Sequence, residues 1–263
     1  MSKLGLAMRP HLDLSQKRQL IFVKYPNGTF CSGKIVSIVE FAVDNVGYDL
    51  HYNQIDEKNL PLIMADFSRL FDYIERKSSV NLTEGERNLL MSTLKPKKLR
   101  KGQFFLQEGD VCKYMGFIVK GATRLFADDK KGHEHILKFG IEEWWVGDYE
   151  SFHLLTPSKY YVEALEEVDM ILITNEQLQE FTRTMPAIKA MVEALDRRAA
   201  VANTKRMHAA ISFNAEERYA DLAKTYPHFL QRFPQNMIAS YLGISPETLS
   251  RIRHGAGRKE KSR

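Results

Sequence analysis

The stretch Gln235–Arg253, QNMIASYLGISPETLSRIR, decides the fold of the carboxyl-terminal region. Apolar side chains recur where two short crossing helices would share a small core, namely at Ile238, Leu242, Leu249 and Ile252. Gly243 suits the left-handed conformation that ends a helix. Ser245 is a good N-cap, and Pro246 fits the first position of a following helix. The stretch therefore predicts a helix-turn-helix whose second helix spans Ser245–His254.

The second predicted helix presents polar and basic side chains on the side away from that core. They are Ser245, Glu247, Thr248, Ser250, Arg251 and Arg253. Side chains of these types hydrogen-bond to base edges and phosphates. We therefore predict that this helix reads double-stranded DNA. The glycine-containing and basic tail, Gly255–Arg263, is predicted to be flexible and to add phosphate contacts.

Composition excludes several classes of protein. The 263 residues are enough for two small domains, and the formal charge of +5 suits a polyanionic partner. Only two cysteines, Cys31 and Cys112, are present. They cannot supply a disulfide framework, a four-cysteine zinc site or an iron–sulfur cluster. With no membrane span and no signal-peptide pattern in the sequence, we expect a cytoplasmic location.

Residues 1–63 show no clear division into the apolar and polar faces of a helix or strand. Tyr25–Thr29 reads as a turn, and Phe30–Val43 has some strand character. Either this segment precedes the true start at Met64, or it is a small accessory domain. Both interpretations stay open. The remaining boundaries are predicted at 64–185 for a sensor domain, 186–212 for a long helix and 213–263 for the helix-turn-helix domain.

The middle of the chain predicts an antiparallel β-roll. Short apolar runs alternate with glycine turns at Gly102, Gly109, Gly116, Gly121, Gly132, Gly140 and Gly147. Evenly spaced short strands with polar turns are typical of a small barrel or jelly roll. The predicted fold class is thus α+β: a double-stranded β-helix roll, a long dimerisation helix and an all-α helix-turn-helix domain.

Helical signals return after the roll. Asn175 is predicted to cap a helix over Glu176–Thr184, and Pro186 begins a longer helix. Its apolar positions alternate steps of three and four, as in a coiled coil, at Ile188, Val192, Leu195, Ala199 and Ala202. This seam predicts a parallel homodimer, because paired readers engage two half-sites.

This order of elements resembles the Crp/Fnr family of bacterial transcription regulators, over about Met64–His254. The similar segments are Lys101–Asp110, Phe117–Gly121, Val146–Asp148 and Ile238–Ile252. The resemblance implies a non-enzymatic homodimer that binds double-stranded DNA and RNA polymerase. It also implies a sensor roll of the cyclic-nucleotide-binding type.

The ligand pocket departs from the family pattern. In the family, a Gly-Glu pair is followed by an Arg-Ser or Arg-Thr pair, where Glu accepts from the ribose hydroxyl and Arg neutralises the cyclic phosphate. Here the corresponding residues are Gly147, Asp148, Ser158 and Lys159, and Tyr160 and Tyr161 put bulk where small residues border the pocket in the family. We therefore expect no cyclic AMP and no other cofactor, only an unidentified small effector or none.

The reader region also departs from the family. Pro246 replaces an Arg that begins the reader helix in well-known members, whereas Glu247 and Arg251 remain. The resemblance thus implies a related but different DNA site. A β-hairpin wing is not expected after the reader helix.

Two other functions explain fewer of these residues. His133-Glu134-His135 resembles part of a cupin-type metal site, but Phe139 and Gly140 stand where the next carboxylate ligand is needed, so no metal is predicted. An adaptor that binds a cyclic nucleotide and regulates a protein partner leaves the polar reader helix unexplained. Trp144 and Trp145 are interpreted as core packing, with a ligand pocket as the alternative, and Cys112 as an inert thiol rather than an oxidant sensor.

Overall fold

The computed structural model describes residues 20–24, 30–34, 50–51 and 60–260, in two units divided after Met64. In the first unit, β1 (Leu20–Lys24) pairs antiparallel with β2 (Phe30–Lys34) on one side and β3 (Leu50–His51) on the other. The predicted strand over Phe30–Val43 is thus present over its first five residues. Its remainder and the predicted turn at 25–29 lie outside the described residues.

Two helices precede the roll. Helix α1 spans Leu60–Ser78, and α2 spans Glu84–Thr93. Because α1 begins at Leu60, the boundary predicted between residues 63 and 64 lies within a helix. From Phe67 onward, α1 buries one face, including Leu70 and Ile74.

The predicted roll is confirmed as two four-stranded antiparallel sheets. Their strands are β4 (Lys95–Leu99), β5 (Phe104–Leu106), β6 (Met115–Lys120), β7 (Thr123–Asp128), β8 (Glu134–Gly140), β9 (Trp145–Val146), β10 (Tyr161–Ala164) and β11 (Val168–Ile173). The strand orders are β5-β10-β7-β8 and β4-β11-β6-β9. The two sheets enclose an apolar interior that includes Leu106, Ile118, Val162 and Met170.

Three helices are attached to the roll. Helix α3 (Tyr149–Leu154) follows β9, while α4 (Asn175–Thr184) and α5 (Pro186–Ser212) follow β11. The prediction that Asn175 caps α4 is wrong by one residue. Thr174 is the N-cap, because a capping box pairs its side chain and backbone with Gln177.

The carboxyl-terminal domain contains α6 (Ala215–Thr225), α7 (Phe229–Arg232), α8 (Gln235–Leu242) and α9 (Pro246–Glu260). The prediction of a flexible tail from Gly255 is wrong as far as Glu260, since α9 continues to that residue. Gly255 and Gly257 are poor helix formers, but helix propensity is a weak determinant, and the helix continues through both residues. No strand of a wing follows α8 within the described residues.

The carboxyl-terminal domain packs directly on the roll. The outer face of β7 and β8 shares one buried core with α6 to α9, formed by Ala122, Phe126, Ile136, Phe139, Leu222, Phe229, Phe233, Ile238, Ala239, Leu242 and Leu249. The inner face of the same sheet lines the roll interior. One strand, β8, therefore separates the sensor interior from the helix-turn-helix.

Candidate nucleic-acid interface and roll pocket

The helix-turn-helix forms as its local sequence predicts. Gly243 ends α8 with a φ of 66°, and α9 begins at Pro246. The Thr248 N–H donates to Ser245 Oγ at 3.2 Å, as an N-cap requires. Ile238, Ala239, Leu242 and Leu249 are buried between the helices, and Ile252 is half-buried. These contacts fix the direction of α9.

The outward side of α9 is exposed and polar. Glu247, Ser250, Arg251 and Arg253 are exposed, as is Ser245 at the cap. Thr248 is half-buried, because its hydroxyl lies 3.2 Å from Ser245 Oγ and accepts from Arg251 Nη2 at 3.3 Å. Glu247, Ser250, Arg251 and Arg253 are thus accessible to a partner from the solvent side.

The exposed carboxylate of Glu247 is ionised at neutral pH. Its own backbone N–H, the Ser245 hydroxyl and the nearby charge of Arg251 lower its pKa. Glu247 is therefore a hydrogen-bond acceptor only. It stands beside Arg251, which is a donor only, so the helix presents an acceptor and a donor side by side.

In the roll, two of the predicted pocket residues, Asp148 and Ser158, form a hydrogen bond with each other. Asp148 is the N-cap of α3, where its Oδ1 accepts from the Glu150 N–H at 3.1 Å. Its Oδ2 accepts from Ser158 Oγ at 2.8 Å, and both residues are buried. The carboxylate expected to accept a ligand hydroxyl is therefore engaged within the protein.

Lys159 does not join that pair. Its side chain is exposed, while the neighbouring Ser158 points inward. The prediction that Tyr161 borders the pocket is wrong, because Tyr161 stacks on Phe126 at 5.0 Å on the outer face of the sheet. Strand alternation places successive side chains on opposite faces, so Val162 points inward instead.

The remaining cavity is small. It measures about 10 Å³ and is lined by Thr123, Leu125, Lys138, Gly140, Val146, Gly147 and Val162. This is close to the space of one water molecule. A Cβ added at Gly140 would lie 2.5 Å from Thr123 Oγ1 and Val146 Cγ1, so the interior is packed tightly there.

Sequence reasoning missed Lys138 as a residue of this cavity. Its Nζ donates to the Trp145 carbonyl oxygen at 3.1 Å. The pairing of Lys138 with Leu125 and of Gly140 with Thr123 puts them on the same inner face. This cross-strand register cannot be read from the sequence of one strand, so no sequence signal marked Lys138.

The predicted dimer seam on α5 needs correction. Ile188 is buried within its own chain, where the start of α5 packs on α4, and Val192 and Leu195 are half-buried. Ala199 and Ala202 are exposed. The large apolar side chains that remain exposed on this helix are instead Val201, Met207 and Ile211. A heptad pattern cannot tell which face its own domain covers.

Trp144, Trp145 and Cys112 pack against other side chains of the protein. Trp144 packs on Tyr226 at 5.7 Å, and Trp145 packs on Phe117 at 5.3 Å, which confirms core packing. Cys112 is 2% exposed, and burial raises the pKa of its thiol. A buried thiol with a raised pKa is unreactive.

The histidine pair lies at an exposed hairpin tip. His133 Nδ1 and His135 Nε2 each lie 3.2 Å from Asp129 Oδ2. Backbone and histidine hydrogen bonds lower the pKa of Asp129. Within the described residues, no group of three or more His, Cys, Asp or Glu side chains has the arrangement of a metal site. No helix in that part of the chain is long and apolar enough to cross a membrane.

A second feature missed by the sequence analysis joins the roll to α7. Arg232 donates four hydrogen bonds of 2.7 to 3.1 Å to the carboxylates of Glu142 and Glu166. Burial alone would raise the pKa of Glu142, but hydrogen bonds from Arg232 and from backbone N–H groups lower it to about 2. The two carboxylates raise the pKa of Arg232. Glu142 and Arg232 are therefore both charged at neutral pH.

Comparisons with known proteins agree with this architecture. The cyclic nucleotide-binding domain family matches residues 96–185. The fumarate and nitrate reduction regulatory protein of Vibrio cholerae is 25% identical over 195 residues, which cover 69% of this chain and 75% of that protein. The protein of the same name from Escherichia coli strain K12 is 26% identical over 199 residues, with the same coverage.

Solved structures share the fold. FixK2 from Bradyrhizobium japonicum superposes with a TM-score of 0.52 at 17% identity, covering 64% of this chain and 86% of that one. A CooA mutant from Carboxydothermus hydrogenoformans gives 0.54 at 13% identity, covering 67% and 82%. The chain thus contains a domain of the cyclic nucleotide-binding family and is similar, in sequence and in its order of roll, long helix and helix-turn-helix, to transcription regulators of the Crp/Fnr family.

Proposed function

We propose that this regulator binds a two-fold-symmetric double-stranded DNA site through α9 as a cytoplasmic homodimer. The observation that carries the proposal is the exposed polar side of α9. Glu247, Ser250, Arg251 and Arg253 are solvent-accessible on a helix whose opposite side is fixed by a buried core. A rigid helix with free donors and acceptors fits the major groove of DNA.

Residue roles follow from the hydrogen-bonding capacity of each side chain. Arg251 grips a guanine through O6 and N7, and Glu247 accepts from a cytosine amino group. Ser250 and Arg253 contact phosphates, which position the helix without reading sequence. Ser245 and Thr248 act mainly through the cap that starts the helix, because their hydroxyls lie 3.2 Å apart.

The homodimer is proposed to form through the second half of α5. Met207 and Ile211 are one helical turn apart and are 61% and 79% exposed. Large apolar side chains this exposed on a long helix favour a partner helix. Sedimentation of Met207→Glu and Ile211→Glu tests this contact. Dissociation to monomers is expected for both, whereas dimers in both would overturn it.

The roll is proposed to respond to a signal other than cyclic AMP, or to none. Asp148 and Ser158 bond to each other, and the cavity of about 10 Å³ is far smaller than a nucleotide. Calorimetry with cyclic AMP is expected to show no binding. Tight binding that is lost in Asp148→Ala would overturn this part of the proposal.

The main experiment is selection of DNA sequences in vitro with purified full-length protein. Wild type is expected to enrich a two-fold-symmetric site, and Glu247→Ala and Arg251→Ala should each relax specificity at one base pair per half-site. Arg183→Ala is the matched control, since Arg183 is exposed and pairs with Glu180 on α4. Enrichment of nothing above salt-sensitive background would contradict DNA reading.

RNA polymerase is the second proposed partner. The likeness to bacterial regulatory proteins supports this partner, since a DNA-bound activator contacts the polymerase that binds beside it. Co-sedimentation of polymerase with the regulator on the selected site is expected to exceed that on a scrambled site. Equal recovery on both DNA molecules would contradict a direct contact.

A further inference from the structure

Strand β8 lies between two compartments of the molecule. On its inner face, Lys138 and Gly140 line the roll cavity. On its outer face, Ile136 and Phe139 belong to the core shared with the helix-turn-helix. We propose that β8 couples the roll interior directly to the helix-turn-helix of the same chain, and that Ser240 and Arg232 are positioning residues for α9.

The first contact is between α8 and the backbone of β8. This strand is at the edge of its sheet, so part of its backbone has no strand partner. The Ile136 N–H donates to Ser240 Oγ at 3.0 Å, and Ser240 Oγ donates to the Glu134 carbonyl oxygen at 3.0 Å. A displacement of β8 is therefore transmitted to α8, the helix that leads through Gly243 into the reader helix.

The second contact is aromatic. The rings of Phe139 and Phe233 stack with centroids 4.1 Å apart, and Phe229 meets Phe139 edge-on at 5.5 Å. All three side chains are at most 4% exposed. Close-packed interiors transmit a shift rather than absorb it, so Phe139 cannot move without α7.

The third contact is the Arg232 clamp. Its two carboxylate partners lie in different connections of the roll, Glu142 between β8 and β9 and Glu166 between β10 and β11. Glu142 also accepts from the Gly121 N–H at 2.9 Å. A planar guanidinium bound by two carboxylates has a defined orientation, so the clamp fixes α7 against the end of the roll.

The docked arrangement leaves the reader helix uncovered. Glu247, Ser250 and Arg251 are exposed although α8 is packed on β8. The contacts therefore orient α9 rather than block it. Two readers must have a fixed separation to engage both half-sites, so loosening the contacts weakens binding to a two-fold site more than binding to one half-site.

The packing of α7 and α8 on the roll at β8 is tested without DNA by hydrogen exchange on the full chain. Ser240→Ala and Arg232→Gln are expected to raise exchange in residues 134–140 about five- to tenfold, since each removes contacts that hold β8. Arg183→Gln, whose arginine pairs with Glu180 on the exposed side of α4, should change nothing there. Unchanged exchange in both test variants would overturn the proposal.

Coupling is tested across the strand. Gly140→Ala places a Cβ on the inner face 2.5 Å from Thr123 Oγ1 and Val146 Cγ1, so β8 must shift, and exchange in residues 235–242 on the outer face is expected to rise several-fold. Gly85→Ala, where nothing lies within 4 Å of the added Cβ, is the control. Equal exchange of residues 235–242 in wild type and Gly140→Ala would overturn coupling through β8.

The consequence at DNA rests on the proposed function. Ser240→Ala and Arg232→Gln are expected to bind a two-fold site about tenfold more weakly and a single half-site with unchanged affinity. Equal affinity for the two-fold site would overturn the positioning role. Absence of DNA binding by wild type would overturn the proposed function instead, while the exchange measurements still decide whether β8 couples the two parts.

Discussion

Asp148 in the roll and Glu247 on α9 are both acidic residues at a helix amino terminus, yet they are used in opposite ways. Asp148 is 6% exposed and bonds to the Glu150 N–H and the Ser158 hydroxyl. Glu247 is exposed, and its carboxylate faces solvent beside Arg251. The roll uses its polar groups to stabilise its own fold, whereas the reader helix keeps them available. Substitutions in the roll should therefore lower the free energy of unfolding, whereas substitutions on the reader helix should lower the affinity for DNA.

The largest expected effect is on folding. Asp148→Ala removes a helix cap and a buried hydrogen bond to a charged group, which together lower the free energy of unfolding by about 2–4 kcal/mol. Urea denaturation of the variant and of Asp72→Ala, an exposed control on α1, measures this loss. A variant as stable as the control would show that Asp148 is not structural and would reopen its role as a ligand acceptor.

The next effect is on DNA binding alone. Arg251→Ala is expected to weaken binding to the selected site by about 1–3 kcal/mol per half-site, because a bidentate contact to guanine is lost. Its unfolding free energy should stay within about 0.5 kcal/mol of wild type, as for other exposed positions. Fluorescence anisotropy and denaturation measure the two quantities. A large loss of stability with normal DNA affinity would show that Arg251 stabilises the fold and does not bind DNA.

Ser245 is a predicted reader residue with a structural role, because its hydroxyl caps the reader helix. Ser245→Ala removes the Oγ that caps the Thr248 N–H, so it should lower stability by about 1 kcal/mol although the residue is exposed. Ser250→Ala, at an exposed position within the same helix, is the matched control and should have almost no effect on stability. Equal stability of the two variants would mean that the cap contributes nothing and that Ser245 is free for DNA.

Local signals explain why the reader helix was predictable. Gly243, Ser245 and Pro246 act through their own backbone positions, and the spacing of Ile238, Leu242 and Leu249 is read within one segment. The roll was predictable as a class from its glycine-punctuated strands.

Contacts between distant segments were not predictable. Arg232 meets Glu142 across 90 residues of chain, and Ser240 meets Ile136 across 104. No local pattern marks these partners. The predicted seam on α5 is wrong at Ile188 for a related reason: apolar spacing identified a helical face there, but only packing shows that its own chain covers that residue.

The smallest effect concerns acid stability and the clamp between the two regions. The pKa of Glu142 is about 2 in the folded protein and about 4.3 for an unperturbed glutamate. Because the folded value is lower, the pair stabilises the fold fully above about pH 5 and loses that contribution as the pH falls toward 2. Solvent screening of a partly exposed pair limits it to about 1 kcal/mol. Glu142→Gln should therefore lose less stability than wild type between pH 5 and pH 3.

The control for the clamp is Glu180→Gln, which removes a carboxylate from an exposed pair with Arg183 on α4. That variant should keep the acid sensitivity of wild type, since an exposed pair adds little stability at any pH. Thermal unfolding at several pH values provides the comparison. If Glu142→Gln follows the same pH profile as wild type, the ion pair does not hold the helix-turn-helix on the roll, and the apolar contact of Phe139 with Phe233 is what remains to do so.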